Sequence, residues 1–324
     1  MKTLKKENNN IVDGNSGWFF SRWRQSDLLM FVAVLIWGIN LSIVKIALTE
    51  FPPYFFNFLR LVGASFVLLI YLIITGEKIS VPKFNLYSIV FIGFLGNTLY
   101  QIFFIKGVSL TTASNASLIM TSSPLFIALL STLLKHEHLA RLNWLGLFLS
   151  LFGLYLVITQ RSGDFSLSSR SLQGDILILL ANLCWAGYTI YSRPYLEIMS
   201  PAKLAALTMM AGTLFYLPFG FLDIKHFSWS NISWKGWLAL VFSFVFALGI
   251  SFVIWYNSLR SVGNSRTAIY SYLTPLVALL TAHFTLNERI TIIQGLGGLI
   301  VLFGFSLTRS GLWWRRLTKK SSPA

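Results

Sequence analysis

Apolar residues in this chain fall in long blocks separated by short connections. A helix that crosses a bilayer needs about 20 largely apolar residues. Ten stretches meet that requirement: 28–49, 54–75, 86–106, 112–134, 142–160, 176–196, 203–223, 233–256, 266–286 and 291–308. Soluble domains carry about 25% charged residues, whereas this chain is 11% charged and 55% hydrophobic. A water-soluble protein this apolar could not cover its own surface, so the expected solvent is the lipid bilayer. The expected class is all-α integral membrane.

An even number of spans puts both termini on one side. Lys and Arg mark the cytoplasmic side. With the N-terminus inside, 18 basic residues fall on that side and seven on the other. The expectation is a multi-pass protein of the cell membrane with both termini cytoplasmic. Residues 1–26 read as a basic disordered tail and 309–324 as a second basic tail. The first lacks the form of a cleavable signal, because its polar part is long and the apolar run after Asp27 has no evident cleavage site. The net charge of +15 resides in these tails and in short loops. It therefore argues for basic cytoplasmic faces and not for a nucleic-acid partner. Cys184 is the single cysteine, which excludes an intrachain disulfide.

The chain also repeats itself. Ser114–Leu156 returns at an offset of 151 as Ser265–Leu307, with 11 of 43 positions identical and no gap. The identities include Ser114/Ser265, Pro124/Pro275, Glu137/Glu288, Gly146/Gly297 and Gly153/Gly304. Leucine bias does not put Pro, Glu and Gly in one register. A fixed-offset repeat has to be recognised before the fold is assigned. The stretch 161–174 is then a linker between a first unit, 27–160, and a second, 175–308. Five spans per unit is an odd number, so the second unit enters the membrane from the opposite face. Inverted repeats of this kind are common in secondary transporters. The starts of the units agree at an offset of 148: Asp27, Ala33, Trp37 and Lys45 match Asp175, Ala181, Trp185 and Arg193.

These residues carry a family resemblance. Trp37-Gly38, Asn40, Lys45, Pro53 and Arg60 are similar to the first repeat of the EamA-type transporters of the drug/metabolite transporter superfamily. In that family a proline near the end of the fourth and ninth helices is followed thirteen residues on by a glutamate. Pro124/Glu137 and Pro275/Glu288 match, and LNERIT is close to the family form. LKHEHL departs from it, with His136 where glycine is usual. The resemblance covers roughly 27–308. It implies ten transmembrane helices as two inverted five-helix repeats around a central cavity, and transport of small organic solutes, often export.

Several side chains are candidates for that cavity. Arg60 is the one charged residue expected well inside a helix, where charge is costly and usually faces a cavity or a partner. It suits an anionic group such as a carboxylate. The competing structural reading has it snorkelling outward from its position near Pro53. Trp37 and Asn40 lie three residues apart on one helical face, and Trp185 and Tyr188 repeat the arrangement. These four either line the cavity from both units or fill interhelical gaps beside Gly38 and Ala186. Tyr100 on the third block and Tyr256 on the eighth are further candidates. So are Tyr270 and Tyr272, which precede Pro275. Pro124 and Pro275 each free a backbone carbonyl near mid-membrane and are expected as hinges, with neighbouring Ser and Thr hydroxyls repairing the backbone.

The fifth and tenth blocks differ. They carry Gly146, Ser150 and Gly153, then Gly295, Gly297, Gly298 and Gly304. Small residues permit close helix contact in lipid, so these two are expected to pack outside the cavity, or to form a homodimer. Glu137 and Glu288 are expected to cap or pair at helix ends. His136-Glu137-His138 lacks the spacing that puts two histidines on one helical face, so no metal is expected. There is no phosphate-cradling glycine loop and no cofactor signature. No buried Asp or Glu is expected within a helix, which leaves a proton relay without an obvious carrier, His283 being expected near an exterior end. A membrane enzyme would need an acid/base or metal cluster that is absent, and a non-transporting scaffold is the other rival. The expected function is alternating-access transport of a small metabolite such as an amino acid, outward. A multidrug exporter is the alternative.

Overall fold

A computed structural model describes residues 25–79, 83–134, 141–159, 170–224, 227–262, 267 and 270–320. All regular structure among them is helical. The helices are α1 (Gln25–Ala47), α2 (Pro53–Ile74), α3 (Lys83–Gly93, Phe94–Leu99 and Tyr100–Leu110 in one run) and α4 (Ala113–Met120 and Ser123–Leu133). They continue with α5 (Arg141–Thr159), α6 (Arg170–Ser192), α7 (Pro201–Gly220) and α8 (Trp234–Phe242, Ser243–Ile250 and Ser251–Val262). The last two are α9 (Thr274–Leu286, entered through a 3₁₀ turn at Ser271–Leu273) and α10 (Ile292–Lys320). Among the described residues seven helical stretches are long and apolar enough to cross a membrane, and Phe148–Val157, Thr274–Leu286 and Ile292–Gly304 are shorter apolar helices. Large apolar side chains such as Phe66, Ile74, Leu214 and Phe284 point outward. An exposed apolar surface of this extent marks a lipid-facing protein.

Two boundaries differ from the sequence reading. α10 runs to Lys320, past position 309 where a tail was expected, and α6 begins at Arg170, inside the expected linker. The N-terminal tail through residue 24 lies outside the described residues.

Four expected single blocks are interrupted. Phe94–Leu99 in α3 and Ser243–Ile250 in α8 are π-helical, a wider turn that often marks functional sites. At the first, α3 meets α7 nearly backbone to backbone. A Cβ on Gly93 would stand 2.5 Å from the Thr208 carbonyl oxygen, and one on Gly212 would stand 2.6 Å from that of Gly93. α4 breaks at Thr121–Ser122 and α9 at Ser271–Leu273. Pro124 and Pro275 each fall in the first turn of the segment that follows. A proline costs little there, because that N–H has no intrahelical partner. The two prolines thus restart helices and do not kink continuous ones. The hydroxyls of Thr121, Ser122 and Ser123 donate to the carbonyls of Leu118, Ile119 and Met120 at 2.5, 2.7 and 2.9 Å, the repair expected of them.

The helices pair in a regular way. α1 packs on α9 and α8, α6 packs on α4 and α3, α2 packs on α8, and α7 packs on α3. α2 also packs on α7, and α5 on α10. In the last pair the glycines face one another. A Cβ on Gly153 would meet the Gly297 carbonyl oxygen at 2.6 Å, and one on Gly304 would meet that of Gly146 at 2.6 Å. The glycine faces are therefore consumed within one chain.

Carboxylates close the helix ends. Glu288, just after α9, accepts the backbone N–H groups of Ala113 and Ser114 at 2.9 and 2.8 Å and so caps α4. Asp223 accepts those of Tyr54 and Phe55 at the start of α2, at 3.0 and 3.3 Å. Glu50 accepts from the Ser233 N–H at 2.8 Å, and Glu77 takes the hydroxyl of Ser200, the α7 cap residue, at 2.7 Å. Exposed N–H groups and the positive helix end both favour such placement. Glu288 thus caps, as expected, but on a helix of the other half of the chain. Glu137 lies outside the described residues.

Candidate functional site

The interrupted helices surround a central cavity of about 780 Å³, counting its open mouth. Its walls come from α1, α2, α3, α4, α6, α8 and α9, and among the described residues none of α5 or α10 lines it. One wall is aromatic. Trp37 and Trp185, at matching places in α1 and α6, meet edge to face at 6.2 Å between ring centres. Buried behind them and outside the lining, Trp255 stands 5.6 Å from Trp37 and 5.4 Å from Trp185. Phe252 adjoins Trp185 at 5.6 Å, and Tyr100 adjoins it at 5.3 Å. Edge-to-face and tilted pairs satisfy the ring quadrupoles, each adding about 1 kcal/mol beyond buried area. The rings therefore form a fixed apolar surface.

Polar contacts hold that surface in place. The Trp37 indole N–H donates to the Ala247 carbonyl at 2.9 Å, and the Asn40 side-chain oxygen accepts from the Ser243 hydroxyl at 2.7 Å. Both partners belong to the π-helical turn of α8. On the other side Asn182 of α6 clips the break in α4. Its amide donates to the Ile119 carbonyl and the Ser122 hydroxyl, each at 2.9 Å, and its oxygen accepts from the Ser123 hydroxyl at 2.8 Å.

Arg60 reaches into the cavity from α2 and is 1% exposed. Its Nη1 donates to the Asn57 side-chain oxygen at 2.8 Å, and its Nε has no partner. The guanidinium carbon lies 5.7 and 5.8 Å from the ring centres of Phe56 and Phe104. It does not snorkel, because the side chain is enclosed by protein. Among the described residues the cavity lining contains no Asp, Glu or Lys.

Five of the predicted site residues line the cavity together: Trp37, Asn40, Arg60, Tyr100 and Trp185. Pro275 joins them, whereas Pro124 is buried beside the α4 break. Tyr188 and Tyr256 lie deeper. Tyr188 packs behind Trp185 at 5.4 Å, its ring filling the space that Gly96 leaves open. Tyr256 lies tilted against Tyr188 at 5.7 Å between ring centres and bonds the Ser192 hydroxyl at 2.9 Å. Both are fully buried and act as support. Tyr270 is partly buried against the core and is not in the lining, and the Tyr272 side chain lies outside the described residues. Among the described residues no group of three or more His, Cys, Asp or Glu could hold a metal.

The sequence reading missed Asn182 and Phe252 as lining residues. Asn182 precedes Trp185 by three positions and so shares its helix face, a usable signal. Phe252 follows the π-helical turn, whose rotation of α8 periodicity could not anticipate.

The EamA-like transporter family model matches residues 24–159 and again 172–310. The uncharacterized transporter YyaM of Bacillus subtilis (strain 168) is 29% identical over 276 residues, covering 85% of this chain and 90% of its own. An uncharacterized transporter of Archaeoglobus fulgidus is 28% identical, covering 88% of this chain and 97% of its own. A probable amino-acid metabolite efflux pump of Escherichia coli (strain K12) is 25% identical, covering 92% and 99%. A solved structure titled only as the crystal structure of a protein shares the fold with a TM-score of 0.65 at 20% identity, over 90% of this chain and 98% of that one. The chain belongs to the EamA-like transporter family: it is a multi-pass membrane transporter of small-molecule solutes and not an enzyme.

Proposed function

We propose that the protein is a secondary transporter that moves a small organic metabolite, an amino acid or similar compound, out of the cell by alternating access. The carrying observation is the cavity itself, an aromatic wall facing one enclosed guanidinium. Ligand sites are typically apolar clefts with few convergent polar groups. The likeness to a probable amino-acid metabolite efflux pump supports both the solute class and the outward direction. A multidrug exporter is the second reading, favoured by the same aromatic surface.

Ten spans in two inverted halves, 27–160 and 175–308 with 161–174 between them, are part of this proposal. The helix pairing supports it. Exchanging the first five helices for the last five turns α1–α9 into α6–α4, α1–α8 into α6–α3 and α2–α8 into α7–α3, and returns α2–α7 and α5–α10 to themselves. That is the pattern of a pseudo-two-fold axis. The two matches to one family model, 24–159 and 172–310, support the same division. Substrate contact is assigned to Trp37, Asn40, Arg60, Tyr100 and Trp185, and hinge motion to the breaks before Pro124 and Pro275. Location in the cell membrane with cytoplasmic termini rests on the Lys and Arg bias, and terminal reporter fusions test it. A homodimer through α5 and α10 would use their outer faces, where Phe148, Phe152, Leu299 and Phe303 are exposed.

The function is tested by counterflow. Proteoliposomes preloaded with a cell metabolite extract should exchange labelled amino acids, and medium from expressing cells should gain the same compounds. Absence of any exchange would overturn the reading.

A further inference from the structure

Resting on the transport reading, we infer that the cavity selects aromatic monocarboxylates of net charge −1, in preference to zwitterions and cations of the same shape. The ligand's carboxylate would pair with Arg60 and its ring would lie on the Trp37, Trp185 and Phe252 surface.

The argument starts from charge. An isolated ion inside a membrane protein is costly and normally has a partner. Arg60 is 1% exposed, yet among the described residues its one hydrogen-bond partner is neutral, the Asn57 side chain at 2.8 Å. The carboxylates that could have served lie elsewhere. Glu50, Glu77, Asp223 and Glu288 close helix ends, and Asp175 takes the Thr111 hydroxyl at 2.6 Å and the Asn115 amide at 2.7 Å. With no Asp or Glu in the lining among the described residues, the cavity carries one positive charge without an acidic partner. An arriving carboxylate supplies the missing partner, and guanidinium geometry suits it bidentately.

A second observation narrows the class. The Arg60 Nε, the Gln101 side-chain oxygen and the Thr274 hydroxyl are buried, belong to residues of the lining and have no hydrogen-bond partner among the described residues. A donor, an acceptor and a hydroxyl are thus left for a ligand. One neutral acceptor satisfies a hydroxyl or amide N–H. It does not neutralise an ammonium, which the Arg60 charge repels. The Arg60 charge therefore also disfavours the lipophilic cations typical of multidrug export.

The test compares three ligands that share one phenyl group: 2-hydroxy-3-phenylpropanoate, phenylalanine and phenethylamine, with charges of −1, 0 and +1 at neutral pH. Each is titrated against the purified full-length protein. A charge-assisted contact is worth enough to separate them roughly tenfold per step, with the hydroxy acid tightest. Arg60→Gln should collapse this ranking. Gln101→Glu, which leaves Arg60 in place and adds a negative charge to the lining, should weaken the hydroxy acid and favour the amine. It keeps the test decisive where Arg60→Gln fails to fold. Equal or tighter binding of phenethylamine in the unmodified protein overturns the inference. So does a ranking that survives either substitution, or a lack of binding by all three. Counterflow with the metabolite extract separates the two levels. Exchange of zwitterions or cations independent of Arg60 sinks the charge selection and leaves transport standing, while absence of all exchange sinks transport itself.

Discussion

Removing the Asn182 side chain should loosen the joint between α4 and α6 by a measurable and calculable amount. Asn182 donates two hydrogen bonds across the α4 break, each at 2.9 Å, and accepts a third at 2.8 Å from the Ser123 hydroxyl, whose single proton is shared with the Met120 carbonyl. Interhelical hydrogen bonds in a membrane protein average about 0.6 kcal/mol each, so their joint loss costs about 2 kcal/mol. The loss stays near that figure because no partner is orphaned. Ser122 and Ser123 keep their bonds to the Ile119 and Met120 carbonyls at 2.7 and 2.9 Å. Asn182→Leu, which preserves volume, should cost about 2 kcal/mol by this count. Asn182→Ala should cost about 1 kcal/mol more through the space it opens. Reversible unfolding in mixed micelles, followed by circular dichroism, measures both. A double-mutant cycle with Ser123→Ala should return a coupling of about 0.5 kcal/mol or more. Unchanged stability in both single variants, or a coupling of zero, would refute Asn182 as the clip.

Four further outcomes follow from the same geometry. Gly153→Ala should destabilise by about 1–3 kcal/mol in the same assay, because its Cβ would meet the Gly297 carbonyl oxygen at 2.6 Å. Gly295→Ala, with nothing within 4 Å of the added Cβ, should instead be neutral or gain up to about 1 kcal/mol. Glu288→Ala should cost about 1–2 kcal/mol by uncapping α4, with Glu288→Gln recovering part of it. Tyr188→Phe should lose less than about 1 kcal/mol and keep counterflow intact, since its hydroxyl contact with Thr208 is long at 3.4 Å and the ring lies behind the lining.

Much of the site was legible because helix periodicity and the repeat acted together. Trp37 and Asn40 share a face by spacing alone, and Trp185 was picked out as the counterpart of Trp37. The same logic misplaced Tyr188, the counterpart of Asn40. The repeat predicts equivalent positions, but a phenol ring and a carboxamide fill different spaces. The Tyr188 ring occupies the gap over Gly96 and withdraws from the cavity, while Asn40 stays at the wall through Ser243. The destination of Glu288 was likewise unreadable. A glutamate after a helix end signals a cap, yet the helix it caps begins 175 residues earlier in the chain.

By itself the sequence determined the solvent, the helical class and the doubling. Those depend on block length, on charge placement and on residues repeated at a fixed offset, all local or one-dimensional properties. The tertiary structure decided which faces meet. It widened α3 and α8 into π-helical turns, turned two prolines from expected hinges into helix starts, and set Gly153 against Gly297 and Gly304 against Gly146 between α5 and α10. It also decided the environment of Arg60. Burial and the absence of a nearby carboxylate depend on what every other helix brings to the same few ångströms, and no single stretch of sequence encodes that.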